Sequence, residues 1–238
     1  MSYVPVEHHS LDERRDGFHV LIDERQARAD VVLSQLPDNC LSPRQFEQLR
    51  MAFERLDSDP RVRAIVLRAD GDHFSNMGSV ELETEIANVP PSRLAWNINA
   101  PLRCGKPVVA ANRGHCFGMG FALSLACDLR IVTETTQYGF PLKKDQSLGA
   151  TFGWSHALKL IGSARMREIL LRSRPIPGVQ AFEWGIATDF VADSDLEEMT
   201  DATVRELLES SACVHSAVKN ALIDLDGKME GDGVEPPR

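Results

Sequence analysis

The stretch from Lys106 to Val132 constrains this chain most. An apolar run, Val108 to Ala111, passes through Gly114, Gly118 and Gly120 into Phe121 to Cys127, apolar and helical in composition, and Leu129 to Val132 resumes as a β-branched run. Strand, glycine turn, helix and strand in quick succession are the signature of an α/β chain. Glycines directly after an apolar strand also leave backbone N–H groups uncovered at a helix start, where the unsatisfied amides and the helix dipole favour negative charge.

The rest of the chain repeats the alternation. Phe18 to Asp23 and Ala29 to Ser34, separated by the charged Glu24 to Arg28 turn, read as a β-hairpin. Ser42 and Pro43 supply a helix cap and first position, after which Phe46, Leu49, Met51, Phe53 and Leu56 recur at near-helical spacing until Ser58-Asp59-Pro60. Arg63 to Leu67 is the next strand, and Ala69-Asp70-Gly71-Asp72 opens a loop. Ser92 to Ile98 reads as helix, Thr136 to Phe140 as a short strand, and His156 to Ile161 and Ala164 to Leu171 as helices around Gly162. Val179 to Gly185 and Leu196 to Leu208 are later helices, and no internal repeat is visible.

Composition narrows the classes. Lys plus Arg number 26 against 35 Asp plus Glu, a net charge of −9, which argues against a globally basic nucleic-acid surface. With 43% apolar and 26% charged residues the chain has material for a buried core. Cys40, Cys104, Cys116, Cys127 and Cys213 form an odd set without a CxxC pair, which fits neither a disulfide framework nor a zinc cluster, so no metal is expected. Met1 to Asp16 has no apolar h-region and no later stretch reaches membrane-spanning length, so a cytoplasmic protein without membrane contact is expected.

Two segments carry candidate chemistry. Phe74-Ser75-Asn76-Met77-Gly78-Ser79-Val80 follows one strand, and Asn112 to Gly120 follows another. Two backbone donors arriving from different loops are what an oxyanion hole requires, although each segment alone also reads as an ordinary tight turn. The Gly118-Met119-Gly120 step lacks the dinucleotide-binding spacing and lies in mid-chain, so it is not a Rossmann fingerprint.

Several linked motifs resemble the crotonase superfamily, the enoyl-CoA hydratase/isomerase family, from about Phe18 to Lys219. They are Pro37-Asp38-Asn39-Cys40-Leu41-Ser42, Asp59-Pro60-Arg61-Val62-Arg63, the Phe74 to Ser79 loop, Lys106-Pro107-Val108-Val109-Ala110-Ala111, Gly118-Met119-Gly120 and Cys127-Asp128-Leu129-Arg130. The resemblance implies an α/β fold: a crotonase-type ββα spiral core over residues 17–175, a shortened helical C-terminal region over 176–226, a flexible extension at 1–16 and a disordered tail at 227–238. It further implies a homotrimer or dimer of trimers and an acyl thioester substrate. Coenzyme A or phosphopantetheine enters as part of that substrate, an acyl carrier protein being a possible partner, and no separate cofactor is expected.

The resemblance places the oxyanion donors at Gly78, with Ser79 as the alternative, and at Met119. Ser75, Met77, Ser79 and His115 would surround the thioester. Of the two glutamates that hydratases of the family use, the first position holds Ala122. The second falls on Leu142 when counted forward from Pro141 and on Asp145 when counted back from Leu148-Gly149. Asp145 is thus the candidate acid/base, since a carboxylate over a thioester in a partly apolar pocket has its pKa raised toward the working range; Lys143-Lys144-Asp145 also reads as a solvated loop. His156 is a substitute base or a structural residue, and Trp154 would line the acyl pocket.

The resemblance therefore implies an enzyme working through a thioester enolate with one acid/base, by isomerisation, hydration/dehydration or carbon–carbon cleavage. Leu148 to Phe152 and Leu160-Ile161-Gly162 are also similar to decarboxylating members of polyketide β-branching. Ala122, Leu142 and the nineteen residues after Lys219, where relatives carry about forty, allow instead a non-catalytic accessory subunit.

Overall fold

The computed structural model describes residues 10–76, 85–86, 88–140 and 154–231, with the side chains of 154–156 and 226–231 outside the description. β2 (Phe18–Asp23) and β3 (Arg28–Leu33) form the expected hairpin, in register from Phe18 opposite Leu33 to Asp23 opposite Arg28. Its turn closes because the Asp23 carboxylate accepts from the backbone N–H groups of Arg25 and Gln26, the local bonding that short acidic side chains offer a reversing chain.

Of the flexible extension expected at 1–16, residues 1–9 lie outside the described residues and the remainder needs correction. Ser10–Arg15 is a strand, β1, antiparallel to β2. Its charged composition shows no strand alternation, and Asp12 and Glu13 are instead held by ion pairs to Arg55 and Arg61.

α1 (Pro43–Ser58) starts at a reciprocal cap: Ser42 Oγ accepts the Gln45 N–H at 3.3 Å and the Gln45 side chain accepts the Ser42 N–H at 2.7 Å. The helix buries Phe46, Leu49, Phe53 and Leu56 and returns the chain so that β4 (Ala64–Ala69) lies parallel to β3. The remaining helices are α2 (Pro91–Ile98), α3 (Ala100–Arg103), α4 (Met119–Leu125), α5 (Trp154–Arg172), α6 (Gly178–Glu183), α7 (Leu196–Glu209) and α8 (Ala212–Gly231). Gly162 breaks α5 with a φ of 76°, as the two helical readings around it required.

β5 (Val108–Asn112), β7 (Leu129–Thr133) and β10 (Asp189–Val191) continue the parallel body, giving a seven-stranded sheet in the order β1-β2-β3-β4-β5-β7-β10. Alternation along the strands makes two cores. Ile65, Leu67, Val108 and Ala110 join the side chains of α1, whereas Ala64, Val66, Val109 and Ala111 meet Leu196 and Val204 of α7. Arg28 and Asp30 are buried on β3 as a charge network completed by Arg68 and by Asp201 of α7.

Residues 176–226, expected as helical, also supply strands. β9 (Ile176–Pro177) pairs with β8 (Gln137–Gly139), and β10 closes the main sheet. α8 continues to Gly231, so 227–231 of the expected tail are helical; 232–238 lie outside the described residues. Lys219 anchors α8 by donating to the carbonyls of Pro101 and Lys106 and to Asp128 at 2.7 Å. No helix among the described residues is long and apolar enough to cross a membrane.

A second, three-stranded sheet orders β6 (His115–Phe117), β8 and β9. Ser75 extends it by a parallel bridge to Cys116: its N–H donates to His115 at 3.0 Å, and its carbonyl accepts from Phe117 at 2.9 Å. Behind this junction the Arg130 guanidinium, 6% exposed, donates to the carbonyls of Ser124 and Cys127 at the end of α4 and to that of Ile186. It adds a charged donor to carbonyls at a helix end, where intrahelical partners run out.

Gly120 has no side chain because there is no room for one. A Cβ there would stand 2.4 Å from Ser75 Cβ and 2.6 Å from its Oγ. Gly120→Ala is therefore expected to cost about 1–3 kcal/mol in denaturant unfolding. Adding Ser75→Gly is expected to restore at least about half of that loss, whereas strictly additive effects would contradict the contact.

Candidate active site

The loop after β4 is fixed before it reaches the residues of interest. Asn39, fully buried and in the left-handed region at φ 52°, donates its side-chain amide to the carbonyls of Asp70 and His73, both at 2.8 Å. Its neighbour Asp38 accepts from Asn76 twice, at its carbonyl (2.7 Å) and at its carboxylate (2.9 Å). Phe74 donates to Arg113 at 3.0 Å, so residues 74–76 run as a strand-like segment beside β6. Close approach requires a bare Cα at Gly114 too, where a Cβ would lie 1.9 Å from the Asp72 carbonyl.

On the other side, β6 ends at Gly118, whose φ of 57° and ψ of −118° suit glycine alone, and whose N–H donates to Gly139 of β8 at 2.9 Å. That reversal starts α4. Gly118 is its cap, accepting from Ala122 at 3.0 Å, and Met119 is its first residue. A first-turn N–H has no acceptor within its own helix, so the half-buried Met119 offers an amide donor at this point. Gly120, the next residue, is the one pressed against Ser75. The structure thus brings the 74–76 segment and the start of α4 into contact.

Ala122, 2% exposed, belongs to the apolar core with Phe121, Tyr138 and Phe140. Its methyl group cannot exchange a proton. Ser124 and Tyr138 share a buried hydroxyl–hydroxyl bond of 3.2 Å behind it. His115 lies in a column of rings, parallel to His73 at 4.3 Å and 22° from Phe117 at 4.9 Å. Burial, followed by the facing charge of His73, pushes the His115 pKa below its ordinary 6.5, with Asp38 opposing.

Met77, Gly78, Ser79, Leu142 and Asp145 lie outside the described residues. Trp154 and His156 are backbone positions of the first turn of α5, with side chains outside the description. Of the residues singled out in the sequence, Ser75, His115, Met119 and Ala122 are therefore the ones the structure places together. His73 escaped sequence reasoning, and Asn39 entered it only within the Pro37 to Ser42 motif, without a role of its own. Asn39 carried a weak signal, since Pro37-Asp38-Asn39 marks a turn and asparagine tolerates positive φ; His73 carried none, because its partner is 42 residues away.

The thiols are poor nucleophiles. Burial, aided by Asp38, pushes Cys40 to about 11, and burial alone leads the rise of Cys104 and Cys127 to about 12 and of Cys116 well above 9. A thiolate is thus not available from these four at neutral pH. No group of three or more His, Cys, Asp or Glu among the described residues could hold a metal ion.

Comparison with known proteins identifies relatives of this chain. Carnitinyl-CoA dehydratase of Salmonella typhi is 26% identical over 195 residues, 80% of this chain and 74% of that protein. 4-Chlorobenzoyl coenzyme A dehalogenase-2 of Arthrobacter sp is 27% identical over 230 residues, 91% of this chain and 78% of that protein. A solved structure described as an enoyl-CoA hydratase/carnithine racemase from Magnetospirillum magneticum superposes with a TM-score of 0.81 at 22% identity, covering 93% of this chain and 84% of its own. The family model "Enoyl-CoA hydratase/isomerase" matches residues 24–228, and this chain accordingly belongs to that family, within the crotonase superfamily.

Proposed function

We propose that the protein is an enzyme that binds an acyl thioester of coenzyme A and stabilises negative charge on the thioester oxygen with the N–H groups of Met119 and Gly78. The observation that carries this reading is the Ser75–Gly120 contact. Ser75 stands three residues before Gly78 in the chain and Gly120 one residue after Met119, so two strand-following segments meet where the donors are needed. A family relationship to proteins named for carnitinyl-CoA and 4-chlorobenzoyl coenzyme A supports the thioester as substrate.

Removal of a proton from the α-carbon leaves its electron pair delocalised onto the thioester oxygen as an enolate. Each preorganised amide lowers the energy of that oxygen by roughly 3 to 4 kcal/mol relative to a site lacking it. Ala122 supplies no acid or base, and the proton work falls to Asp145 in this reading. Its carboxylate takes the α-proton and, as the acid, returns it to another carbon in isomerisation or to a departing group in elimination, so the enzyme class is a lyase or isomerase. A trimer of such chains, and a phosphopantetheine-borne thioester in place of coenzyme A, belong to the same proposal.

Met119→Pro tests the second donor cleanly, because proline is accommodated at a first helical position while it removes the N–H. Turnover of a panel of acyl- and enoyl-CoAs is expected to fall about 100- to 1,000-fold with the thermal midpoint near that of the parent protein. Gly78→Pro is expected to act likewise; retained activity would assign the first donor to Ser79. For Asp145→Ala, thioester binding by calorimetry is expected to persist while turnover is lost. Unchanged turnover would remove Asp145 from the mechanism, and binding without turnover by the parent protein would favour an accessory subunit.

A further inference from the structure

We infer that His73 is a positioning residue for the oxyanion site: its ring clamps the 70–76 loop to β6, and the clamp opens when the His73–His115 ring pair takes up a proton. The inference rests on the thioester reading above for its catalytic consequence, while the clamp itself stands on geometry.

The His115 backbone N–H donates to His73 Nδ1 at 3.2 Å. A ring nitrogen accepts only when it carries no proton, so the neutral His73 ring bears its hydrogen on Nε2. Protonation puts a second N–H on Nδ1, donor facing donor, and the bond is lost. The side chains reinforce the dependence. The two imidazoles lie parallel within 6° at 4.3 Å, an arrangement that two neutral rings accommodate and that positive charge on both rings disfavours. Phe117 covers the far side of His115, and His115 Nδ1 is buried with no hydrogen-bond partner among the described residues.

The position of this contact gives it leverage. His73 is two residues before Ser75, the residue seated on Gly120, and His115 begins the strand that ends at Gly118 and Met119. The side-chain amide of Asn39 and the backbone of Phe74 tie the loop to neighbouring segments, Ser75 bonds it to His115 and Phe117 of β6, and the ring of His73 adds a side-chain bond to the first residue of that strand.

Among the described residues the surrounding charges are few. Asp38, from the segment before α1, attracts a proton to His115 and is itself bonded to Asn76. Asp70 and Asp72 belong to the loop, and Arg113, next to Gly114, is paired with Glu197 and Asp193. Across the sheet His115 faces Gln137 of β8, which is neutral. For His115 the sign is fixed by the lowered pKa. The unfolded chain binds the proton first, so the stabilisation is complete above about 6.5 and is lost as pH falls below that value. His19 is also lowered by burial and faces Asp70, so global unfolding mixes two histidines and a local readout is needed.

Hydrogen–deuterium exchange of the segment 113–122, corrected for the intrinsic pH dependence of exchange, supplies that readout between about pH 7.5 and 5.5. The parent protein is expected to lose protection at least about fivefold on acidification. His73→Asn keeps an acceptor without a titrating ring and is expected to stay protected at both pH values; His73→Leu removes the acceptor and is expected to be unprotected at both. Turnover of the acyl-CoA panel is expected to follow: an acid limb in kcat for the parent, with KM little changed, and a flattened limb in H73N. Long-range nitrogen–proton NMR of the parent rings needs no variant; an unprotonated His73 Nδ1 near neutral pH supports the clamp and an Nδ1–H tautomer overturns it. Protection that ignores pH, or is lost equally in H73N, also overturns it. The expected exchange pattern without any thioester turnover would defeat the proposed chemistry and leave the clamp standing, whereas turnover with pH-invariant exchange would defeat the clamp alone.

Discussion

One junction organises the functional end of this molecule: Ser75 lies against the bare Cα of Gly120 while its backbone bridges into the sheet that carries β6. A backbone amide can act on a ligand only if the backbone itself is held, since it has no side-chain freedom with which to correct its aim. The junction meets that demand from two sides. The Asn39 and Asp38 bonds fix the first segment, and the Gly118 reversal with the Arg130 cap fixes both ends of α4. The Asn39 amide donor, the Asp38 carboxylate and the Arg130 guanidinium are each engaged by neighbouring groups, which makes them supports of the backbone rather than participants in chemistry.

Arg130, Asp128 and Lys219 illustrate the same economy of roles. Asp128 accepts from the Val108 N–H and from Lys219, so the start of β5 and the anchor of α8 converge on one carboxylate. Burial raises the Asp128 pKa and the Lys219 charge opposes the rise. A charged motif next to a glycine turn invites a catalytic reading, yet its atoms face carbonyls and strand ends instead of open space.

Much of the fold could be read from the chain because its determinants are local. Ser42-Pro43 with Gln45 announces α1, the β-branched runs announce β3, β4, β5 and β7, and Gly162 announces the break in α5. β1, β6, β9 and β10 escaped because short or charged strands owe their existence to partners far along the chain. The same distinction divides the site. Glycines after a strand marked the turn at Gly118 and the start of α4, since a tight turn leaves a local imprint, whereas a role for Met119 came only from the family resemblance. The His73–His115 stack and the Asn39 tether left little, because each depends on a loop closing over a strand more than thirty residues away.

The central claim is that two amides polarise one thioester carbonyl, and the carbonyl itself is the most direct witness. The vibrational frequency of an acyl-CoA carrying an isotope label at its thioester carbon reports the electron density of that bond. On this account the band moves to lower frequency when the thioester is bound, because hydrogen bonding draws the bond toward the enolate. A bound carbonyl that keeps its solution frequency would show that no donors converge on it and would contradict the account.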